Sequence, residues 1–214
     1  MKISKEQANE NRRRVVDTAS RLFRQRGFDG VAVAELMTAA GFTHGGFYNH
    51  FRSKEALTAE ALEHAFAAMA RERERSKGVE DFVSEYLSEA SRNAPGMSCP
   101  AAALAADASR QPSAIKAVFA EGVEGMIRFI EQRLSKESTL SDEALRECAV
   151  QLVSKIVGAL ALARAMPKNS RLAHEILTAT AKLAFETSEA KTSARKRGSA
   201  RPLSHALRTK PLSR

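Results

Sequence analysis

The stretch that most limits what this chain can fold into is Gly41-Phe42-Thr43-His44-Gly45-Gly46-Phe47-Tyr48-Asn49-His50-Phe51-Arg52-Ser53-Lys54-Glu55. Gly41 closes a helix, Thr43 is placed to cap a short next one, and Ser53 to cap another. This is the turn and second helix of a helix-turn-helix, followed by the start of a further helix. Phe47 and Phe51, four apart, point into a small core, so His44, Gly45, Tyr48 and Asn49 take the opposite face. Gly45 and Gly46 each cost about 1 kcal/mol against alanine inside a helix. A missing Cβ lets a backbone approach another surface closely. Thr43, His44, Tyr48, Asn49, His50 and Lys54 surround these glycines with donors, as a surface reading phosphates and bases requires.

Around this segment the apolar residues recur at helical spacing, and no alternating, strand-like pattern runs for long. The first helix is expected over about 8–26, with Val15, Val16, Ala19, Leu22 and Phe23 inward and Gly27 at its end. The second spans about 33–40, the short third 44–50, and the fourth starts at Ser53 and continues to about Arg75. Gly78 then separates a head from a body. Body helices are expected over about 79–92, 100–110, 112–135, 142–166 and 171–186. The fold class is therefore all-α: an N-terminal three-helix helix-turn-helix head and a C-terminal helical body. The domains read as 1–54, 55–187 and a basic tail, 188–214, that lacks periodicity and is expected to be disordered.

The charge is +9 over 214 residues, unevenly spread. The head (1–54) holds ten Lys or Arg against five Asp or Glu, and the tail eight against one, leaving a mildly acidic body. A basic head fits a polyanionic partner, double-stranded DNA. Arg12, Arg13 and Arg14 lie near the N-terminal end of the first helix, where the helix dipole disfavours cations and DNA phosphate would favour them. Lys54 is similarly placed at the start of the fourth helix. The two cysteines, Cys99 and Cys148, lack metal-ligand spacing, so neither a disulfide framework nor a zinc site is expected. No metal, cofactor or catalytic set emerges, which argues against an enzyme. The longest apolar run is too short to span a bilayer and no signal peptide is evident, so a cytoplasmic protein without membrane contact is expected.

The residues from Val33 to Leu57, notably Ala39 to Phe51 and then Ser53-Lys54-Glu55-Ala56-Leu57, resemble the DNA-binding domain of the tetracycline-repressor (TetR/AcrR) family. The likeness covers Val15 to about Leu62 firmly and the body weakly. It implies that Thr43, His44, Gly45 and Gly46 begin a recognition helix in the major groove. Tyr48, His50 and Lys54 would reach phosphates. One departure is visible: Val31 and Ala32 stand where the family has a hydroxyl cap for the second helix. The resemblance also implies a homodimer built on the last two helices, a palindromic operator, and a small-molecule effector bound in the body that shifts the fourth helix.

Phe66, Met69, Phe82, Tyr86, Met97, Phe119, Val123 and Met126 could line an effector pocket or be ordinary core. Few charges fall on the inward faces, so an apolar effector is expected. Gly122 and Gly125 either make room for a ligand or let two helices approach. Cys99, at an expected helix N-cap, is an oxidant or electrophile sensor or a small residue in a tight turn. Cys148 lies on an apolar stripe and is expected to pack. The resulting reading is a ligand-responsive transcriptional regulator acting as a repressor. Two alternatives stand beside it: a redox- or electrophile-sensing repressor through Cys99, and an architectural DNA-binding protein without an effector.

Overall fold

The computed structural model describes residues 4–136 and 138–183, and every regular element among them is helical. Helices α1 (Lys5–Arg26) and α2 (Val33–Ala39) precede a 3-10 segment (His44–Asn49) and α3 (Lys54–Arg73). The body holds α4 (Val79–Tyr86), α5 (Glu89–Asn93), a 3-10 turn (Pro95–Met97), α6 (Pro100–Ala108), α7 (Ser113–Leu134) and α8 (Asp142–Arg164). A last helix, α9, covers 171–183 within the described residues. None of the described helices is long and apolar enough to cross a membrane.

Local chemistry sets the boundaries. Ser4 Oγ accepts from Gln7 N and starts α1 three residues earlier than the apolar stripe suggests. Ser53 caps α3 by accepting from Ala56 N at 3.2 Å. Gly27 ends α1 at φ 77° and Gly41 follows α2 at φ 82°, conformations that a side chain would strain. α2 begins at Ala32 with no side-chain cap, as the missing hydroxyl implies.

Three expectations are corrected. The segment 44–49 is a 3-10 helix and not an α-helix, and Thr43 makes no side-chain cap bond to it. The helix expected over 79–92 is two helices: Ser88 Oγ accepts from Ser91 N and restarts the chain as α5. The apolar residues Phe82, Val83, Tyr86 and Leu87 are all buried and run without interruption up to this corner, which hid it from the periodicity. The end of the last helix beyond residue 183, and the tail 188–214, lie outside the described residues.

The head closes around Val15, Ala19 and Phe23 of α1, Leu36 and Met37 of α2, Phe47, Phe51 and Leu57, all buried. Each such large side chain contributes about 1.5–3 kcal/mol on leaving water. α1 packs along α3, α3 along α7 and α7 along α8, so α3 belongs to head and body alike. The C-terminal half of α1 also docks on the Pro95–Met97 turn and on α6. There a Cβ on Gly96 would stand 2.8 Å from Gln25, so the glycine permits the approach. Gly122 answers its own question: a Cβ there would lie 2.2 Å from the Phe66 ring, so its absence lets α3 and α7 pack.

Candidate DNA interface and effector cavity

The 3-10 segment presents one buried and one open face. Phe47 is 1% exposed and stacks near Phe51, with ring centroids 5.6 Å apart. On the other side Thr43, His44, Gly45, Tyr48 and Asn49 are exposed, Tyr48 to 72%. The Tyr48 ring rests edge-on against Phe47 at 5.2 Å, which aims its hydroxyl outward from a rigid base. Gly45 has nothing within 4 Å of its would-be Cβ and a negative φ, so neither packing nor backbone demands glycine there. Gly46 meets only ordinary contact, with Met37 at 3.7 Å and Thr43 at 3.9 Å. Lys54 is half-buried in the first turn of α3, beside this face.

The three arginines of α1 have different surroundings. Arg12 donates to the His50 carbonyl and to Glu60, at 3.2 Å from Nε, and covers the Phe51 ring at 4.2 Å. It thereby ties α1 to α3 and to the end of the 3-10 segment. Arg14 is exposed, yet donates to the Ala40 carbonyl at 3.0 Å and lies over Phe42. Arg13 is exposed, with no ion pair among the described residues. His50 is half-buried between Phe42 and Phe51.

A cavity of about 400 Å³ opens where head and body meet. α1 contributes Asp17, Arg21 and Arg24, α3 contributes His64, Met69 and Arg73, and α4 contributes Phe82 and Tyr86. Met97, Ser98, Cys99 and, from α8, Leu160 complete the wall. Of the side chains expected from sequence, the structure brings Met69, Phe82, Tyr86, Met97 and Cys99 to this cavity. Phe66, Phe119, Val123 and Met126 are not among its lining: Phe66 packs on Phe119 at 5.8 Å, and Met126 is buried behind Cys99.

The expectation of few inward charges is corrected here. Arg24, Arg73 and Arg164 all lie near enough to Cys99 for their charges to interact with it, Arg73 donating to the Gly125 carbonyl at 3.1 Å, and burial lowers the pKa of each. Their long stems start from the flanks of α1, α3 and α8 and carry the guanidinium inward, which no apolar periodicity signals. Arg24 donates to the Ser98 carbonyl at 2.9 Å and to Ser20; Arg164 donates to Ser98 Oγ and to the Ser91 carbonyl. Tyr86 is 4% exposed, its hydroxyl lies beside the Cys99 thiol with no oxygen or nitrogen partner, and burial raises its pKa well above that of an ordinary phenol. Cys99 is 2% exposed and its Sγ donates toward Met126 Sδ at 3.8 Å. It occupies the N-cap position of α6 without making a side-chain cap bond. Cys148 is half-buried on α8, and His64 lies against Asp17 at 3.5 Å. Among the described residues no cluster of His, Cys, Asp or Glu is built to hold a metal.

Residues 15–61 match the family model described as bacterial regulatory proteins, tetR family. The head is a TetR-type DNA-binding domain. Escherichia coli NemR, a transcriptional repressor, is 38% identical over 66 residues, 31% of this chain and 33% of NemR. The crystal structure of its reduced form superposes with a TM-score of 0.68 at 25% identity, covering 83% of this chain and 96% of that one. A TetR-family regulator from Cytophaga hutchinsonii shares the fold, with a TM-score of 0.71 at 17% identity over 87% of this chain and 98% of the other. AibR, solved with isovaleryl coenzyme A and operator DNA, shares it with a TM-score of 0.58 at 16% identity over 82% of this chain and 98% of AibR. In sequence, the match spans about a fifth to a third of the first curated relatives' length, from 19% of Bacillus subtilis YerO to 30% of Mycobacterium DhaR. The sequence likeness is thus concentrated in the TetR head, and the family is one of regulators rather than enzymes.

Proposed function

We propose that the protein is a homodimeric transcriptional repressor that binds a palindromic operator and leaves it when a small molecule enters the cavity. The observation that carries this reading is the open face of the 3-10 segment. Gly45 lacks any internal reason to be glycine, and it is flanked by exposed Thr43, His44, Tyr48 and Asn49. A duplex docked on this face would meet base edges with Thr43 and His44 and phosphates with Tyr48, Asn49 and Lys54. Arg13 can add a phosphate contact from α1, whereas Arg12 and Arg14 act mainly by holding the 3-10 segment and α2 in place.

A homodimer is supported by α8 and α9. Val150, Leu162 and Leu172 are exposed on them, and Gly158 sits mid-helix with nothing near its would-be Cβ. Such a face of large apolar and small residues suits a four-helix interface between two copies. Two-fold symmetry would then set the recognition segments on the order of 35 Å apart, one DNA turn.

The cavity suits control of that spacing because its wall is built from α1 and α3 as well as α4 and α8. A ligand there contacts the head directly and need bind only one head orientation better than the other to shift the balance. This argues against an architectural protein with no effector. A second reading is favoured by the place of Cys99 in the wall of the same cavity, where an electrophile entering it would meet the sulfur. The Cys99 thiolate would attack the electrophilic carbon of an unsaturated carbonyl compound, forming a C–S bond, with the displaced electron pair going to the enolate and a proton taken from water. Cys99→Ser would then keep DNA binding and lose the response to electrophiles.

The deciding experiment is selection of bound sequences from a random duplex pool at physiological salt. A palindromic consensus with half-sites one helical turn apart is expected. Recovery of unselected DNA would overturn sequence-specific regulation.

A further inference from the structure

The cavity holds more unanswered donors than its fold needs. Arg164 Nε and Nη1 and Arg73 Nε are buried without a hydrogen-bond partner, and the buried Tyr86 hydroxyl meets the weakly bonding Cys99 thiol rather than an oxygen or nitrogen. Arg73 and Tyr86 line the cavity, Arg73 with Nη2 already donating to the Gly125 carbonyl at 3.1 Å, and Arg164 lies close enough to Tyr86 and Cys99 for their charges to interact. Neither Arg24, Arg73 nor Arg164 has a carboxylate within 4 Å among the described residues. The nearest acids are otherwise engaged or peripheral. Glu72 pairs with Arg75 at 2.8 Å, Glu74 pairs with Arg133 at 3.3 Å, and Glu85 and Asp17 are exposed at the rim. Cations withdrawn from water without a counter-charge are costly, and so is a buried donor without a partner. Arg24, Arg73 and the Tyr86 phenol line one cavity, with Arg164 behind its wall, and such donors suit an oxyanion. Met69, Phe82 and Leu160 supply apolar wall for the rest of a ligand.

We infer that the effector is a small organic carboxylate, its anion held by Arg73 and the Tyr86 hydroxyl with the charge of Arg164 behind them, and its hydrocarbon body against Met69, Phe82 and Leu160. The volume of about 400 Å³ suits a compact monoacid. This deepens the proposed function and rests on it only for the consequence at DNA. Ligand capture itself can be measured without an operator.

Calorimetric titration of the full chain with hexanoate and benzoate, against hexanamide and benzamide, tests it. Saturable binding of the acids is expected, with the amides at least about tenfold weaker, since a hydrogen bond to a charged group is worth about 1.5–3 kcal/mol. Tyr86→Phe should weaken the acids about five- to tenfold while leaving shape and fold intact. Arg73→Met should weaken them further without changing the amides, its thermal midpoint serving to check folding. Equal binding of acids and amides, or no binding of either, would overturn the inference. The operator complex separates the two ideas. Acids that bind and leave DNA bound keep the carboxylate site and defeat the regulatory reading. Release by the amides and not by the acids defeats the carboxylate site alone.

Discussion

Ala32 is the residue at which this head departs from what a helix start prefers. It occupies the N-cap of α2 in an extended conformation, φ −77° and ψ 147°, that suits a serine, and no side chain satisfies the first amides. Ala32→Ser should raise stability by about 0.5–1 kcal/mol, read as a higher denaturation midpoint with an unchanged denaturant slope. Gly122 is the converse case. Its sequence context left room for a ligand or a helix contact open, and the Phe66 ring at 2.2 Å decides for the contact. Alanine normally gains about 1 kcal/mol over glycine in a helix. Gly122→Ala is nevertheless expected to lose about 1–3 kcal/mol, because an aromatic ring held between α3 and α7 has nowhere to move. A gain in thermal midpoint would show that the two helices can part at little cost. At Lys54 the expectation concerns DNA. Lys54→Ala should weaken all duplexes about equally and flatten the salt dependence by about one phosphate. His44→Ala should instead alter which base is preferred. An unchanged salt slope in Lys54→Ala would remove lysine from the phosphate contacts.

At the scale of elements, what could be read in advance was what local chemistry dictates. Gly41 ends α2 and Ser53 caps α3 because both depend on neighbours within four residues. The break between α4 and α5 was not legible, since its apolar run is continuous and only Ser88 marks the corner. Nor was the clasp between α7 and α8. Arg146 donates both Nη atoms to the Glu124 carboxylate at 2.7 Å and reaches Glu131 at 3.5 Å. The hydrogen bond from Arg146 holds the Glu124 carboxyl below the usual carboxylate range, and the same contact keeps Arg146 more firmly protonated. A carboxyl depressed on folding stabilises the fold fully above its unfolded pKa, about 4.3 for a glutamate, and ceases to do so as pH falls through the lower folded value. Comparing the thermal midpoints of the protein and Glu124→Gln between about pH 7 and pH 3 should show a constant gap that closes only at the acid end. A gap that persisted undiminished at the acid end would show that the carboxylate charge is not what Glu124 contributes.

For the whole molecule, the cavity lies beyond sequence patterns because it is assembled from helices far apart in the chain. Arg24, Arg73 and Arg164 sit on α1, α3 and α8, and only the folded body brings them around Cys99. The apolar stripe of α8 was legible in Leu145, Ile156, Ala159 and Ala163, all buried, but it describes the face turned inward. The outward face carries Val150, Gly158 and Leu162, and Gly158 has no internal contact to justify it. If the helix stood alone in solvent, Gly158→Ala would stabilise it by about 1 kcal/mol and Gly158→Leu would cost little. If a second copy packs there, the leucine must force two helices apart, and Leu162→Glu must bury an unpaired charge. Both substitutions should therefore shift the molecule toward monomer by sedimentation velocity while the far-ultraviolet helical signal stays unchanged. Operator affinity should fall with the loss of dimer, because a single head keeps only half of the phosphate contacts and none of the two-fold spacing. Dimers that survive Leu162→Glu with operator affinity intact would move the interface off α8 and leave Gly158 without a role.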